Sequence, residues 1–341
     1  MTTDNYLKTM SEHTSFWWND DADYSHLDEA IANGATGVTT NPVIVGKSLY
    51  KFPEFWRPYI EDAVKLSGDE KAEAILKAIT CHIAEKFLPI YEKFEGRQGF
   101  VCAQVNPKKQ GDAAFMVEMG KRLASWAPNI AVKLPATAAG LEAIEELAAE
   151  GITTVGTVSF TTPQAVAIAE AQQRGIDRCR KAGKKAGMAF SVIMVGRTDD
   201  YMRDVIHDGK YDISEEAITH AGTACIKKAY RILKAKGLES KLMPAAMRGT
   251  YHPVDLADAD MSMSIAPNMQ QALTMETEFV PHIDEEVDQK YIDELMKCPE
   301  FERAYCPEKL PVSEFITFGA TQRTLSQFVE VGWNKIAAFE F

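Results

Sequence analysis

The chain has no apolar run near the ~20 residues that a membrane-spanning helix requires, so no membrane is expected as a partner. Residues 1–20 are polar and hold no apolar core, which argues against a secretory signal. Cysteine is scarce and scattered (Cys81, Cys102, Cys179, Cys225, Cys298 and Cys306), with no CxxC pair. That excludes a disulfide frame and a zinc-type thiolate site, and fits reduced thiols in a cytoplasmic protein. The 7 histidines are dispersed, and His82, His252 and His282 show no ligand spacing, so no metal is expected. No strand leads into a GxGxxG turn, which argues against an open doubly wound sheet. Positive charge is also short. A net charge of −12 argues against nucleic acid, whose phosphates need a basic face. Repeats and low-complexity linkers are lacking, which favours a single domain over 1–341.

What is present is ordinary for a globular protein: 341 residues, 46% hydrophobic and 25% charged. One stretch stands apart. Residues 129–137 read Asn-Ile-Ala-Val-Lys-Leu-Pro-Ala-Thr, an apolar strand carrying a single lysine, Lys133, before Pro135 closes it. Strands buried on both faces read as nearly unbroken apolar runs. Side chains alternate along a strand, so Ala131 and Lys133 share one face while Ile130, Val132 and Leu134 share the other. Burial disfavours the charged form of an amine, and a neutral amine attacks carbonyl carbon to form a Schiff base. The plain structural alternative is a strand-end lysine whose ammonium extends to water.

Strand and helix patterns alternate along the chain. Strands are expected at 15–19, 37–41, 99–105, 129–134, 152–157, 188–195, 241–246 and 260–265. Helices are expected at 24–33, 50–94, 111–127, 141–150, 161–173, 214–237 and 267–274. Such alternation predicts parallel strands with helical crossovers, and eight units suggest a closed (β/α)8 TIM barrel, with an open doubly wound sheet as the alternative. The barrel is expected over about 15–275, with an aromatic-rich helical C-terminal extension over about 284–341 packing on it.

Active sites of such barrels lie at the C-terminal ends of the strands. Asn19 and Asp20 stand there, as do Thr39 to Asn41, Gln104, Asn106, Lys133 and Thr157. Met194 and Arg197 follow the sixth strand, and Arg248 the seventh. A lysine, a carboxylate, amides, hydroxyls and two guanidinium groups suit carbonyl chemistry on an anionic sugar. Two guanidinium forks match a terminal phosphate or another tetrahedral anion. The bland readings are local ion pairs of Arg197 with Asp199 or Asp200, and of Arg248 with Asp255.

These residues resemble the transaldolases and the related fructose-6-phosphate aldolases. Gly37-Val-Thr-Thr-Asn-Pro is similar to the second-strand signature of that family, and Val132-Lys133-Leu-Pro-Ala-Thr to its Schiff-base segment, with Gly140-Leu and Glu150-Gly-Ile following. Gly156-Thr157, Gln164-Ala, Val195-Gly-Arg197-x-Asp, Met243-x-Ala-Ala-x-Arg248 and Ser264-Ile-Ala-Pro keep the family's order over residues 16–266. The resemblance implies Lys133 as the Schiff-base nucleophile and Asp20 as the general acid/base. Asn19 aligns instead if the spacing to Asn41 is held. It further implies Gln104 and Thr157 as holders of a catalytic water, and Thr39, Asn41, Met194, Arg197 and Arg248 as substrate-side residues, with no cofactor. Structural alternatives stand beside these: a helix-start charge for Asp20, barrel filling for Gln104, strand packing for Thr157 and Asn-Pro turn chemistry for Thr39 and Asn41.

Some positions depart from the family's pattern. Gln104 stands where transaldolases carry glutamate and the aldolase branch glutamine. Val155 replaces an asparagine, Val192 and Ala246 replace serines, and Met194 replaces the phenylalanine or tyrosine that separates the two branches. The resemblance implies transfer of a dihydroxyacetone unit from a ketose phosphate to an aldehyde, in carbohydrate metabolism of pentose-phosphate type. A fructose-6-phosphate aldolase-like enzyme and a non-catalytic sugar-phosphate-binding barrel are the competing readings. The expected partners are small sugar phosphates, and homo-oligomerisation is compatible with the sequence.

Overall fold

Residues 5–13, 15–276 and 278–341 are described in a computed structural model. Eight strands form one sheet: β1 (Phe16–Asn19), β2 (Gly37–Val38), β3 (Phe100–Gln104), β4 (Ile130–Pro135), β5 (Thr154–Thr157), β6 (Ala189–Ile193), β7 (Lys241–Pro244) and β8 (Ser262–Ile265). Their order is β7-β6-β5-β4-β3-β2-β1-β8, and adjacent strands pair in parallel. A parallel bridge from Leu242 to Met261, just before β8, joins the two ends. Helices cross over between the strands, and the molecule is the expected (β/α)8 barrel. Among the described residues, no helix is long and apolar enough to cross a membrane.

The pleat sorts side chains between the barrel interior and the outer helices. In-register neighbours on parallel strands point the same way. Gln104 pairs with Lys133, Lys133 with Val155, and Val155 with Phe190. Deeper in the interior, Trp18 packs edge-on against Phe190 with ring centroids 4.8 Å apart, and Phe100 meets Phe190 at 6.1 Å. These tilted aromatic contacts fill the barrel and leave polar side chains for its C-terminal mouth.

Several expected elements are broken. A helix not expected from the sequence, Pro42–Lys51, precedes the helical region expected over 50–94, which itself is two α-helices, Pro53–Ile60 and Gly68–Lys93, with a 3-10 turn at Ala63–Lys65. Proline lacks an N–H and suits the first turn of a helix. Pro42 and Pro53 therefore open separate helices, the first capped by the Asn41 side chain. The helix expected over 214–237 divides into Glu215–Ile218, capped by Ser214, and Ala221–Lys236. A Cβ on Gly222 would lie 2.3 Å from the Val195 carbonyl oxygen, so that helix is drawn against the preceding one, Val195–Gly209. β2 shortens to two residues because the Thr40 hydroxyl, not its backbone, reaches the Cys102 carbonyl at 2.7 Å.

The C-terminal segment wraps back over the barrel. Phe315, Phe318, Phe328, Trp333 and Phe339 are buried, as expected, but Phe341 stays exposed, with the Arg57 guanidinium 3.9 Å above its ring. The helix Gly319–Gln327 reaches the barrel mouth, where Gln164 Nε2 donates to Thr321 Oγ1 at 3.1 Å in a buried setting.

Candidate active site at the barrel mouth

Asp20, Thr39, Asn41, Lys133, Thr157 and Met194 line one cavity of about 360 Å³, and Arg197 and Arg248 form another part of its wall. A larger cleft of about 500 Å³ lies beside the helix Pro267–Leu273, lined by His26, Glu29, Gln270 and Gln271 among others. It has no lysine and no arginine, so chemistry rather than size singles out the mouth.

Lys133 reaches the cavity from β4, is 5% exposed, and directs Nζ toward the Thr40 carbonyl oxygen at 3.4 Å. The segment after it is tightly built: a Cβ on Gly140 would lie 1.9 Å from the Pro135 oxygen, so the following helix starts flush against the strand end. Thr137 caps that helix, accepting from the Gly140 N–H. Beneath the lysine, burial pushes the Cys102 thiol up to about 11, which keeps it an inert thiol near neutrality.

Asp20 follows the last residue of β1 and lines the cavity, whereas Asn19 belongs to the opposite face of the strand. Asn19 donates to the Asp21 carbonyl at 3.0 Å and accepts from Gln270 Nε2 at 2.7 Å, outside the cavity. The Thr39 hydroxyl donates to Asp20 Oδ1 at 2.7 Å and lies 2.6 Å from Ser264 Oγ. A hydroxyl has one proton, and an ionised carboxylate only accepts. The order of donation is therefore Ser264 to Thr39 to Asp20.

Two buried oxygens near the lysine lack partners among the described residues: Thr157 Oγ1 and Gln104 Oε1. Thr157 is fully buried and Gln104 is 5% exposed. Buried polar atoms are nearly always paired with protein or with ordered water. Thr157 on β5 and Gln104 on β3 flank the lysine strand β4, and each oxygen suits an ordered water, although Gln104 is not among the residues that line the cavity. Asn41 has a structural duty as well, since its Oδ1 accepts from the Val43 and Ile44 N–H groups. Asn106 turns away from the mouth, donating to Asp69 Oδ2 at 3.1 Å.

The two arginines differ. Arg248 donates to Asp200 Oδ2 through Nε and Nη2, at 2.9 and 2.7 Å, so its carboxylate partner is Asp200 rather than Asp255. Arg197 has no carboxylate partner among the described residues. Its Nη1 donates to Thr324 Oγ1 at 3.2 Å and Gln327 Oε1 at 2.8 Å, both on the C-terminal helix. Burial, and then the like charge of Arg248, lower the pKa of the Arg197 guanidinium. Gly196 permits this closeness, because a Cβ there would lie 2.4 Å from the Ala246 oxygen and 2.6 Å from Arg248 Cγ. Behind the pair, His252 Nδ1 accepts from the Arg248 N–H at 3.3 Å, and its Nε2 lies 2.9 Å from the buried Asp199 carboxylate, with the ring N–H not aimed at that oxygen. Burial raises the Asp199 carboxyl above the usual carboxylate range, with His252 opposing.

Sequence reading omitted Ser264, Asp200, Thr324 and Gln327 as site groups. Ser264 sat within a recognised motif without a role. Thr324 and Gln327 had no local signal, being 127 and 130 residues from the arginine they hold.

Comparison with known proteins agrees with this architecture. The family model described as Transaldolase/Fructose-6-phosphate aldolase matches residues 17–311. The chain is similar to a protein named Transaldolase from Saccharopolyspora erythraea, 26% identical over 314 residues covering 85% of each chain. It is also similar to a Transaldolase from Thiobacillus denitrificans, 29% identical over 210 residues and 57% of each chain. A Transaldolase 1 from Streptomyces avermitilis is 30% identical over 209 residues, 58% of this chain and 55% of that one. The match to the latter two thus spans little more than half their length. With the family model covering most of the barrel and the tail's beginning, the chain belongs to the transaldolase/fructose-6-phosphate aldolase family.

Proposed function

We propose that this protein is a Schiff-base enzyme that transfers a dihydroxyacetone unit from a ketose phosphate to an aldehyde acceptor. The observation that carries the reading is a buried amine, Lys133, sharing one cavity with the Asp20 carboxylate. Lys133 Nζ attacks the C2 carbonyl, and loss of water gives an iminium ion. Asp20, through a water held by Thr157 and Gln104, takes the C4 hydroxyl proton. The C3–C4 bond breaks, its electron pair moves into the iminium, and an aldose phosphate leaves. The three-carbon unit stays on Lys133 as an enamine. Its C3 then attacks the acceptor aldehyde, the new alkoxide takes the proton back, and hydrolysis frees the product. Arg197 and Arg248 hold the terminal phosphate, while Thr39, Asn41 and Met194 shape the sugar's course between the two ends.

Borohydride reduction tests the first step. Incubation with dihydroxyacetone or fructose 6-phosphate followed by borohydride should leave a covalent adduct on the native chain and none on Lys133→Met. An adduct of equal yield in the variant would remove Lys133 from the mechanism.

A second reading rests on Gln104. A glutamine can orient a water but cannot take its proton. That favours protonation of the enamine by water and release of free dihydroxyacetone, an aldolase reaction. With fructose 6-phosphate alone, a transferase should release almost no dihydroxyacetone. Steady release without an acceptor aldehyde would establish the aldolase reading instead.

A further inference from the structure

We propose that the C-terminal helix Gly319–Gln327 supplies a specificity residue, Gln327, which selects ketoses carrying a terminal phosphate dianion. The proposal rests on the Schiff-base reading above. Gln327 lines the Lys133 cavity and also an adjoining cavity of about 270 Å³. Arg197 and Arg248 line both as well, so these three side chains form the shared wall.

The chemistry of the contact matters. A guanidinium carries five N–H donors. Arg197 uses only Nη1 in hydrogen bonds among the described residues, and both its acceptors are neutral, the Thr324 hydroxyl and the Gln327 amide oxygen. Neutral acceptors fix the orientation of the fork without cancelling its charge, so Nε and Nη2 remain for a tetrahedral oxyanion. Arg248, by contrast, already has a carboxylate partner in Asp200, which it shares with Arg203. Because Gln327 Oε1 is committed to Arg197, its Nε2 is left as a further donor. The helix is held in place by the buried Gln164–Thr321 contact and by Phe318 and Phe328, both fully buried. Gln327 lies beyond residue 311, where the family match ends.

The test uses the full chain with Gln327→Glu and Gln327→Leu. A glutamate would place a carboxylate against Arg197 and repel a phosphate dianion. The expected result is a fall of about tenfold or more in kcat/KM for fructose 6-phosphate relative to that for neutral fructose, carried mainly by KM. The inhibition constant of inorganic phosphate should rise in parallel. Gln327→Leu should show the same direction with a smaller change. If Gln327→Glu does not fold, Thr324→Val, which removes only the other acceptor of Arg197, should lower the same ratio. An unchanged ratio in a folded variant, or an equal loss with both ketoses, overturns the proposal. Failure of the native chain to form any borohydride adduct would refute the Schiff-base reading instead, and phosphate binding measured by calorimetry would still decide the role of Gln327.

Discussion

Around Asp20, two hydroxyls determine where a proton points. Thr39 and Ser264 are each 1% exposed, so no bulk water competes for their hydrogen bonds. With Thr39 donating to Oδ1 of the carboxylate, Ser264 fixes the Thr39 rotor, and in the proposed mechanism it thereby sets which carboxylate oxygen meets the water. On that proposed mechanism Ser264 is a positioning residue. Replacing it by alanine should lower kcat by roughly tenfold, below the 10²–10⁴ typical of a full general acid–base contribution, with KM little changed. Ser264→Thr keeps the hydroxyl and should recover most of the loss. A change confined to KM, or no recovery with threonine, would show that Ser264 only packs. This device was not legible in the sequence, since its two hydroxyls are 225 residues apart and small polar residues on a strand carry no pattern. The placement of Lys133 was legible, because the two-residue period of β4 and the apolar face of Ile130, Val132 and Leu134 put it inside. The same period puts Asp20 and Asn19 on opposite faces, but which of the two meets the cavity was left open by the sequence and is read from the structure.

Elements were readable where one periodic pattern acted alone and misread where a local tie overrode it. Pro53 cuts what looked like a continuous helical region, and the helix expected after Ser214 breaks between Ile218 and Ala221. The C-terminal segment is fastened by a tie of this kind. Asp69, in the first turn of Gly68–Lys93, accepts from Lys108 Nζ at 2.7 Å, Trp333 Nε1 at 2.9 Å and Asn106 Nδ2 at 3.1 Å. It joins one long helix, the loop after β3 and the tail. Burial alone would raise the Asp69 carboxyl, but the hydrogen bonds from Lys108 and Trp333 and the Lys108 charge hold it below the usual carboxylate range. A carboxyl lowered on folding stabilises the fold above its unfolded pKa, and that contribution is lost as pH falls through the folded value. The native chain should therefore lose urea-unfolding midpoint faster than Asp69→Asn as pH drops from about 5 to 3. Hydrogen exchange should show the loss first around Trp333. Parallel pH profiles for the two proteins would mean that the tie contributes nothing.

At the scale of the whole molecule, the tail belongs to the folded core although the family match stops at residue 311. Phe315, Phe318, Phe328, Trp333, Ile336 and Phe339 are each at most 2% exposed. Burying one such side chain is favourable by about 1.5–3 kcal/mol, so six contribute on the order of 10 kcal/mol. The net stability of a globular protein is about 5–15 kcal/mol. Removing residues 312–341 would also uncover the surface they cover, where a Cβ on Gly332 would lie 2.8 Å from Pro42 Cβ, directly beside the second-strand segment of the site. A chain ending at Pro311 should therefore fail to fold cooperatively and should aggregate, rather than survive as a minimal barrel of altered specificity. Single substitution gives a graded version: Phe328→Ala should cost about 3–5 kcal/mol in urea unfolding, as expected for a buried phenylalanine. In the truncated chain, a soluble product with a cooperative thermal transition near the native one would show that the barrel stands alone. The tail would then be only a carrier for Gln327, and the loss of specificity on truncation should match that of Gln327→Leu.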